Sequence, residues 1–223
     1  MKGFVFSFTP GRERSKKPRS IRKFTDITQI VRRYGSVMLF TLMFAAGMLL
    51  GSITAGDAAP QLLNDLDFLF TTNLNSRLSQ PMFATFAASF ASNFIFLLFV
   101  FLCGLAPWGM VAMPFAPAFK GFGTGLSAGY LFITYGFKGV GFYLLVILGG
   151  TFLFCFALII QCVQAHYLSC KLARNIFAGS DSVQPISVFV RSYLLRSLYM
   201  LLLTAAAALV DMMLWKAFSH LFF

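Results

Sequence analysis

Polar and apolar positions separate along this chain into long blocks, unlike the short alternations of a soluble fold. Ile21, Phe24, Ile27, Ile30, Val31 and Tyr34 recur at three- and four-residue spacing, while Arg22, Lys23, Asp26, Gln29, Arg32 and Arg33 fill the other side. That spacing predicts an amphipathic helix with a cationic face, suited to the bilayer surface or to a partly solvated lead-in to a first span. Apolar runs follow. They predict spans over about 36–55, 83–103, 109–134, 142–164 and 195–214, near the ~20 residues that cross the hydrocarbon.

The interruptions between those runs are informative. Residues 57–80 form a polar loop in which Asp57, Asp65 and Asp67 outweigh Arg77. No charge occurs from Pro81 to Phe119, and Gly104–Trp108 supplies the break, because proline ends helices and tryptophan prefers the interface. Pro114 and Pro117 predict a kinked or broken third span. Residues 135–141 read as a turn, Lys171, Arg174, Asp181, Pro185 and Arg191 as a polar connection, and Trp215-Lys216 as an interfacial anchor. The expected fold is all-α, a polytopic helical membrane bundle of five transmembrane helices. Residues 1–35 would be a basic cytoplasmic N-terminus, and 36–223 the membrane domain with its outside loop at 57–80.

Charge sets the expected orientation. Ten of the 18 Lys and Arg precede Ser36, and Lys171, Arg174, Arg191 and Arg196 fall on the same side of a five-span fold. Arg77, Lys138 and Lys216 fall on the other. The positive-inside rule then predicts the N-terminus in and the C-terminus out. A basic stretch this long ahead of the first span also argues against a cleaved leader. Composition agrees: 58% of residues are hydrophobic, 11% are charged, and 29 are phenylalanine. The net charge of +11 would suggest nucleic acid on a soluble face, but concentrated at a span's flank it points to anionic membrane lipids.

Catalytic and metal motifs do not occur: there is no HExxH, GxSxG, phosphate-binding loop or EF-hand pattern. His166 and His220 are predicted at opposite membrane faces, and Cys103, Cys155, Cys162 and Cys170 read as small buried hydrophobes. An enzyme, a metal or a cofactor is therefore not expected. What remains is a set of polar groups inside the spans. Asn93 is suited to a hydrogen bond across helices. Lys120 and Asp211 are opposite in sign at comparable predicted depth, and each is costly alone in hydrocarbon. They are expected to pair or share a hydrated cavity; a snorkelling lysine and an interfacial aspartate is the alternative. Gly121, Gly125 and Gly129 fall on one helical face, as do Gly47 and Gly51 in the first span, where small residues let a neighbouring helix approach. In the outside loop, Leu66 and Leu69, with Asp65 and Asp67 beside them, make a candidate partner contact; a packed lid over the bundle is the alternative.

The order of these features resembles the stage II sporulation protein M family, from about Tyr34 to the C-terminus. The resemblance rests on Phe119-Lys120-Gly121 with Gly125 and Gly129, on Gly136 and Gly139 in the turn, and on Pro185–Arg191 before the last span. The chain departs from the family pattern after Leu148, where Gly149-Gly150 stands in place of an expected leucine-proline pair. The resemblance implies a multi-pass protein of the bacterial cytoplasmic membrane, on the mother-cell side. It also implies a scaffold role in engulfment, recruiting the D and P sporulation proteins that remodel septal peptidoglycan, without hydrolase activity of its own. A small transporter or channel built on the kinked third span and Lys120 is the second reading, with a homo-oligomer to complete its path.

Overall fold

The computed structural model describes residues 19–56, 81–178 and 186–222, and every element among them is helical. The chain divides into two compact units, Met1–Gly35 and Ser36–Phe223. Helix α1 covers Arg19–Thr54, α2 Met82–Leu105, the single turn α3 Gly109–Ala112 and α4 Phe115–Phe142. A π-helical turn at Tyr143–Ile147 leads into α5, Leu148–Ala178, and α6 covers Ile186–Phe222. Among the described residues, four stretches are long and apolar enough to cross a membrane: Tyr34–Thr54, Met82–Leu105, Gly109–Ile176 and Phe189–Phe218.

The third of these stretches holds 68 residues, far longer than a bilayer requires, and it does not run straight. Gly136 adopts φ 59° and ψ −138°, a conformation that a Cβ atom forbids. The chain reverses there. The Tyr143 hydroxyl donates to the Thr124 carbonyl at 3.2 Å, and the Lys120 Nζ lies 5.1 Å from the Phe154 ring centroid. A straight helix would separate Thr124 from Tyr143 by about 28 Å. The stretch is therefore a helical hairpin whose turn is one glycine, tighter than the seven-residue turn the sequence suggested. Gly139 packs so closely on the Leu131 carbonyl that a side chain would overlap it.

The remaining breaks follow from proline and backbone satisfaction. Helix α2 ends where Ala106 turns extended ahead of Pro107, and Trp108 stands 75% exposed at the junction. Phe83 and Phe137 are also almost bare, at the opposite end of the hairpin and of α2. Such rings at both ends suit a bilayer's interfaces. Pro114 caps α4, and Pro117 falls in its first turn, where its missing N–H costs nothing. The polar connection expected over 171–191 is shorter than the sequence implied: Lys171 and Arg174 belong to α5, and Arg191 belongs to α6.

Among the described residues, three buried clusters hold Ser36–Phe223 together, the smallest being Ala55, just past α1, against Leu126 of α4. One gathers Phe40 of α1, Phe96 and Val100 of α2, Phe154 and Leu158 of α5, and Tyr193 and Ala207 of α6. Another surrounds the reversal with Leu131, Phe142, Tyr143, Val146 and Trp215. Trp215, expected as an interfacial anchor, is buried against Phe142 in a T-shaped pair with ring centroids 5.4 Å apart, and so packs into the core.

Gly136→Ala is expected to cost about 1–3 kcal/mol and lower the unfolding temperature in detergent by several degrees, because alanine cannot adopt this backbone without strain. Gly56→Ala, whose β-carbon would make only an ordinary contact with the Ile53 carbonyl at 3.9 Å, should leave that temperature unchanged.

Candidate functional site

Within Ser36–Phe223, the glycines singled out in the sequence face one another. Gly47 and Gly51 of α1 lie on the Ala118 and Phe122 carbonyls of α4. Gly121 and Gly125 of α4 lie on the Phe44 and Met48 carbonyls of α1, and Gly129 meets Ser52 and Ala55. A β-carbon at Gly47, Gly51, Gly121 or Gly125 would overlap the facing backbone. Partner numbers rise together along both helices, so α1 and α4 run parallel. The close approach brings the Ser52 hydroxyl within 3.2 Å of the Gly125 carbonyl and 3.0 Å of its own Met48 carbonyl. Spacing by four puts each glycine set on one face. The sequence showed both faces, though not that they meet.

The charged residues lie on the other side of α4. Lys120 is buried, its Nζ 5.2 Å from the Phe96 ring centroid of α2 and 5.1 Å from that of Phe154 of α5. An ammonium over aromatic faces gains about 2 kcal/mol when desolvated, which offsets part of its burial cost. Asp211 of α6 accepts a 2.7 Å hydrogen bond from the Ser89 hydroxyl of α2. Gly150 of α5 makes room for it, since a β-carbon there would press on the Asp211 Cβ. The Gly149-Gly150 pair thus sits where α5 meets α6, against Leu214 and Asp211. Lys120 and Asp211 occupy neighbouring levels, one to two helical turns apart by their partners on α5 and α2. Asn93, half-buried on α2, falls in sequence between Ser89 and Phe96. Asp65, Leu66, Asp67 and Leu69 lie outside the described residues.

A further polar centre was not anticipated. Gln161 is fully buried on α5, and its Nε2 donates to the Tyr193 hydroxyl at 3.1 Å and the Ser197 hydroxyl at 2.8 Å. The Tyr193 hydroxyl in turn donates to the Phe101 carbonyl at 3.1 Å, in space that Gly104 leaves free. These bonds join α2, α5 and α6. Ser169 does the same for the α2–α3 junction, donating to the Ala106 carbonyl at 2.8 Å and accepting from the Met110 amide at 3.1 Å. The sequence signal was a glutamine, Gln161, with Gln164 one turn on, in an otherwise apolar run. The four cysteines carry free thiols, and among the described residues no three His, Cys, Asp or Glu side chains gather as a metal site.

Chemically, these groups bind helix to helix. The hydroxyls of Ser52 and Ser89, the Gln161 amide and the Tyr193 phenol each bond a neighbouring helix. In a bilayer such groups would otherwise be stranded in hydrocarbon.

A family model described as stage II sporulation protein M matches residues 37–214, most of the chain. No curated protein and no solved structure gives a significant match.

Gly51→Val and Gly125→Val are each expected to cost about 1–3 kcal/mol by overpacking a backbone contact, seen as a lower unfolding temperature and faster proteolysis in detergent. Ser127→Ala should leave both unchanged, since that hydroxyl bonds only within its own helix, to the Gly123 carbonyl.

Proposed function

The chain belongs to the stage II sporulation protein M family, and from that premise we propose that it is a five-pass membrane scaffold for peptidoglycan-remodelling partners during engulfment. The Gly136 reversal supports five passes by dividing the 68-residue apolar stretch into two. The parallel α1–α4 contact agrees, because the first and third passes of such a bundle point the same way. The balance of basic residues favours the N-terminus inside and the C-terminus outside. The D and P sporulation proteins are the proposed partners, with Asp65, Leu66, Asp67 and Leu69 of the outside loop as the proposed contact.

The observation that carries the scaffold reading is how the polar groups of the apolar helices are used. Ser52, Ser89, Gln161 and Tyr193 are spent on interhelical hydrogen bonds, which fixes a rigid bundle from which a loop can be displayed. A scaffold needs no catalytic group of its own. Lys120 and Asp211 belong to this architecture as opposite charges that compensate one another across α2 and α5. A transporter reading is less well supported, because the crevices at α2–α6 and α5–α6 are lined by residues other than Lys120 and Asp211.

Two experiments test these proposals. Mild-detergent capture of the tagged chain from sporulating cells should recover the wall-remodelling partners, and replacing residues 57–80 should abolish that recovery; the chain captured alone would refute the scaffold. Lys120→Met and Asp211→Asn should each reduce membrane accumulation. The double variant should lose less than the two single losses combined, because compensating charges are coupled; strictly additive losses would refute the pairing.

A further inference from the structure

A cavity of about 530 Å³ opens between α5 and α6, away from the glycine seam and from Lys120. Its wall includes Gln164 and Tyr167 of α5 and Phe189, Ser192 and Arg196 of α6. Tyr167, Ser192 and Arg196 are exposed, so the crevice faces outward from the bundle. Its charge is one-sided. Arg196 lines it, and the Lys171 Nζ lies 3.5 Å from the Phe189 ring centroid and 4.7 Å from that of Tyr167, both wall residues. Among the described residues of Ser36–Phe223 the one carboxylate is Asp211, fifteen positions beyond Arg196, or about 22 Å along α6.

A second observation is independent of charge. The Oε1 of Gln164 is shut off from solvent, and no group among the described residues donates to it. A buried acceptor without a donor is uncommon and calls for a partner. The cavity therefore presents cations for an anion between apolar walls that include Val163 and Leu168, and Gln164, itself only half-buried, can bring its oxygen to a hydroxyl or amine there by turning its terminal amide. It lies beside the apolar stretch Phe189–Phe218, at the end carrying Lys171, Arg174, Arg191 and Arg196.

We propose that this crevice binds an anionic phospholipid with a hydroxyl-bearing headgroup, of the phosphatidylglycerol type. The phosphodiester sits at the Arg196 guanidinium with Lys171 adding positive potential, the Gln164 amide turns so that its Oε1 accepts from a headgroup hydroxyl, and the acyl chains lie along the α5–α6 groove. A free phosphate would satisfy the cations alone and leave the apolar walls and Gln164 unmatched. A zwitterionic lipid with an amine would satisfy Gln164 but not the excess positive charge. The inference rests on the membrane reading of the chain and not on its role as a scaffold.

The test is native mass spectrometry of the delipidated full chain in detergent, titrated separately with phosphatidylglycerol, phosphatidic acid and phosphatidylethanolamine. Retention is expected in that order. Arg196→Gln should weaken phosphatidylglycerol retention about tenfold, the size expected for one charge-assisted contact, whereas Arg196→Lys should keep most of it. Gln164→Leu should erase the preference for phosphatidylglycerol over phosphatidic acid while both stay bound. Equal retention of the three lipids, or an Arg196→Gln chain that binds like the unaltered one, would overturn the proposal. The readout uses the purified chain alone, so failure to capture wall-remodelling partners leaves it unaffected.

Discussion

The backbone-to-backbone contact between α1 and α4 is the constraint on which the rest of Ser36–Phe223 depends. Inside a bilayer no hydrophobic force favours helix association, so stability comes from packing and from polar bonds between helices. Glycines on both faces let the two backbones touch, and the touch brings Ser52 to the Gly125 carbonyl. Fixing α4 in this way fixes its other side as well. There Lys120 reaches the rings of Phe96 and Phe154, and so positions α2 and α5 around the same helix.

The hairpin at Gly136 follows from the same economy of space. With φ at 59° one residue reverses the chain, and the returning helix lies close enough for Tyr143 to bond the Thr124 carbonyl. Beyond the π-helical turn, Gly149 and Gly150 let α5 settle on α6 at Leu214 and Asp211. Glycine thus sets the α1–α4 seam, the reversal and the α5–α6 approach, while Gln161, Tyr193 and Ser197 lock the far side with hydrogen bonds. A membrane protein of this sporulation family, built so, has its polar groups committed to holding helices in place.

Much of this was legible in the sequence because hydrocarbon imposes simple rules. The second span was expected over about 83–103 and α2 is Met82–Leu105, since Pro107 and Trp108 mark its end unambiguously. The family resemblance rested on Lys120 and the glycines, and the family match covers them. The lengths of α5 and α6 were less legible: hydropathy reports the thickness of the hydrocarbon, and helices carrying Lys171, Arg174 and Arg191 extend past it. Neither the facing of the two glycine sets nor the Gln161 network has a local signature, because both arise only when distant helices meet. The burial of Trp215 was not legible for a similar reason, since the Phe142 ring that it packs on belongs to another helix.

The most direct test of this architecture is a pair of spin-label distances across α1 and α4 in reconstituted bilayers. Labels at Thr41, Ile53 and Phe115 all occupy exposed positions and leave the seam intact. Parallel packing in the observed register predicts that the Thr41–Phe115 distance is short and the Ile53–Phe115 distance clearly longer, because twelve helical residues displace Ile53 by roughly 18 Å along the helix axis. The reverse order, or two equal distances, would contradict the parallel glycine seam and the bundle built on it.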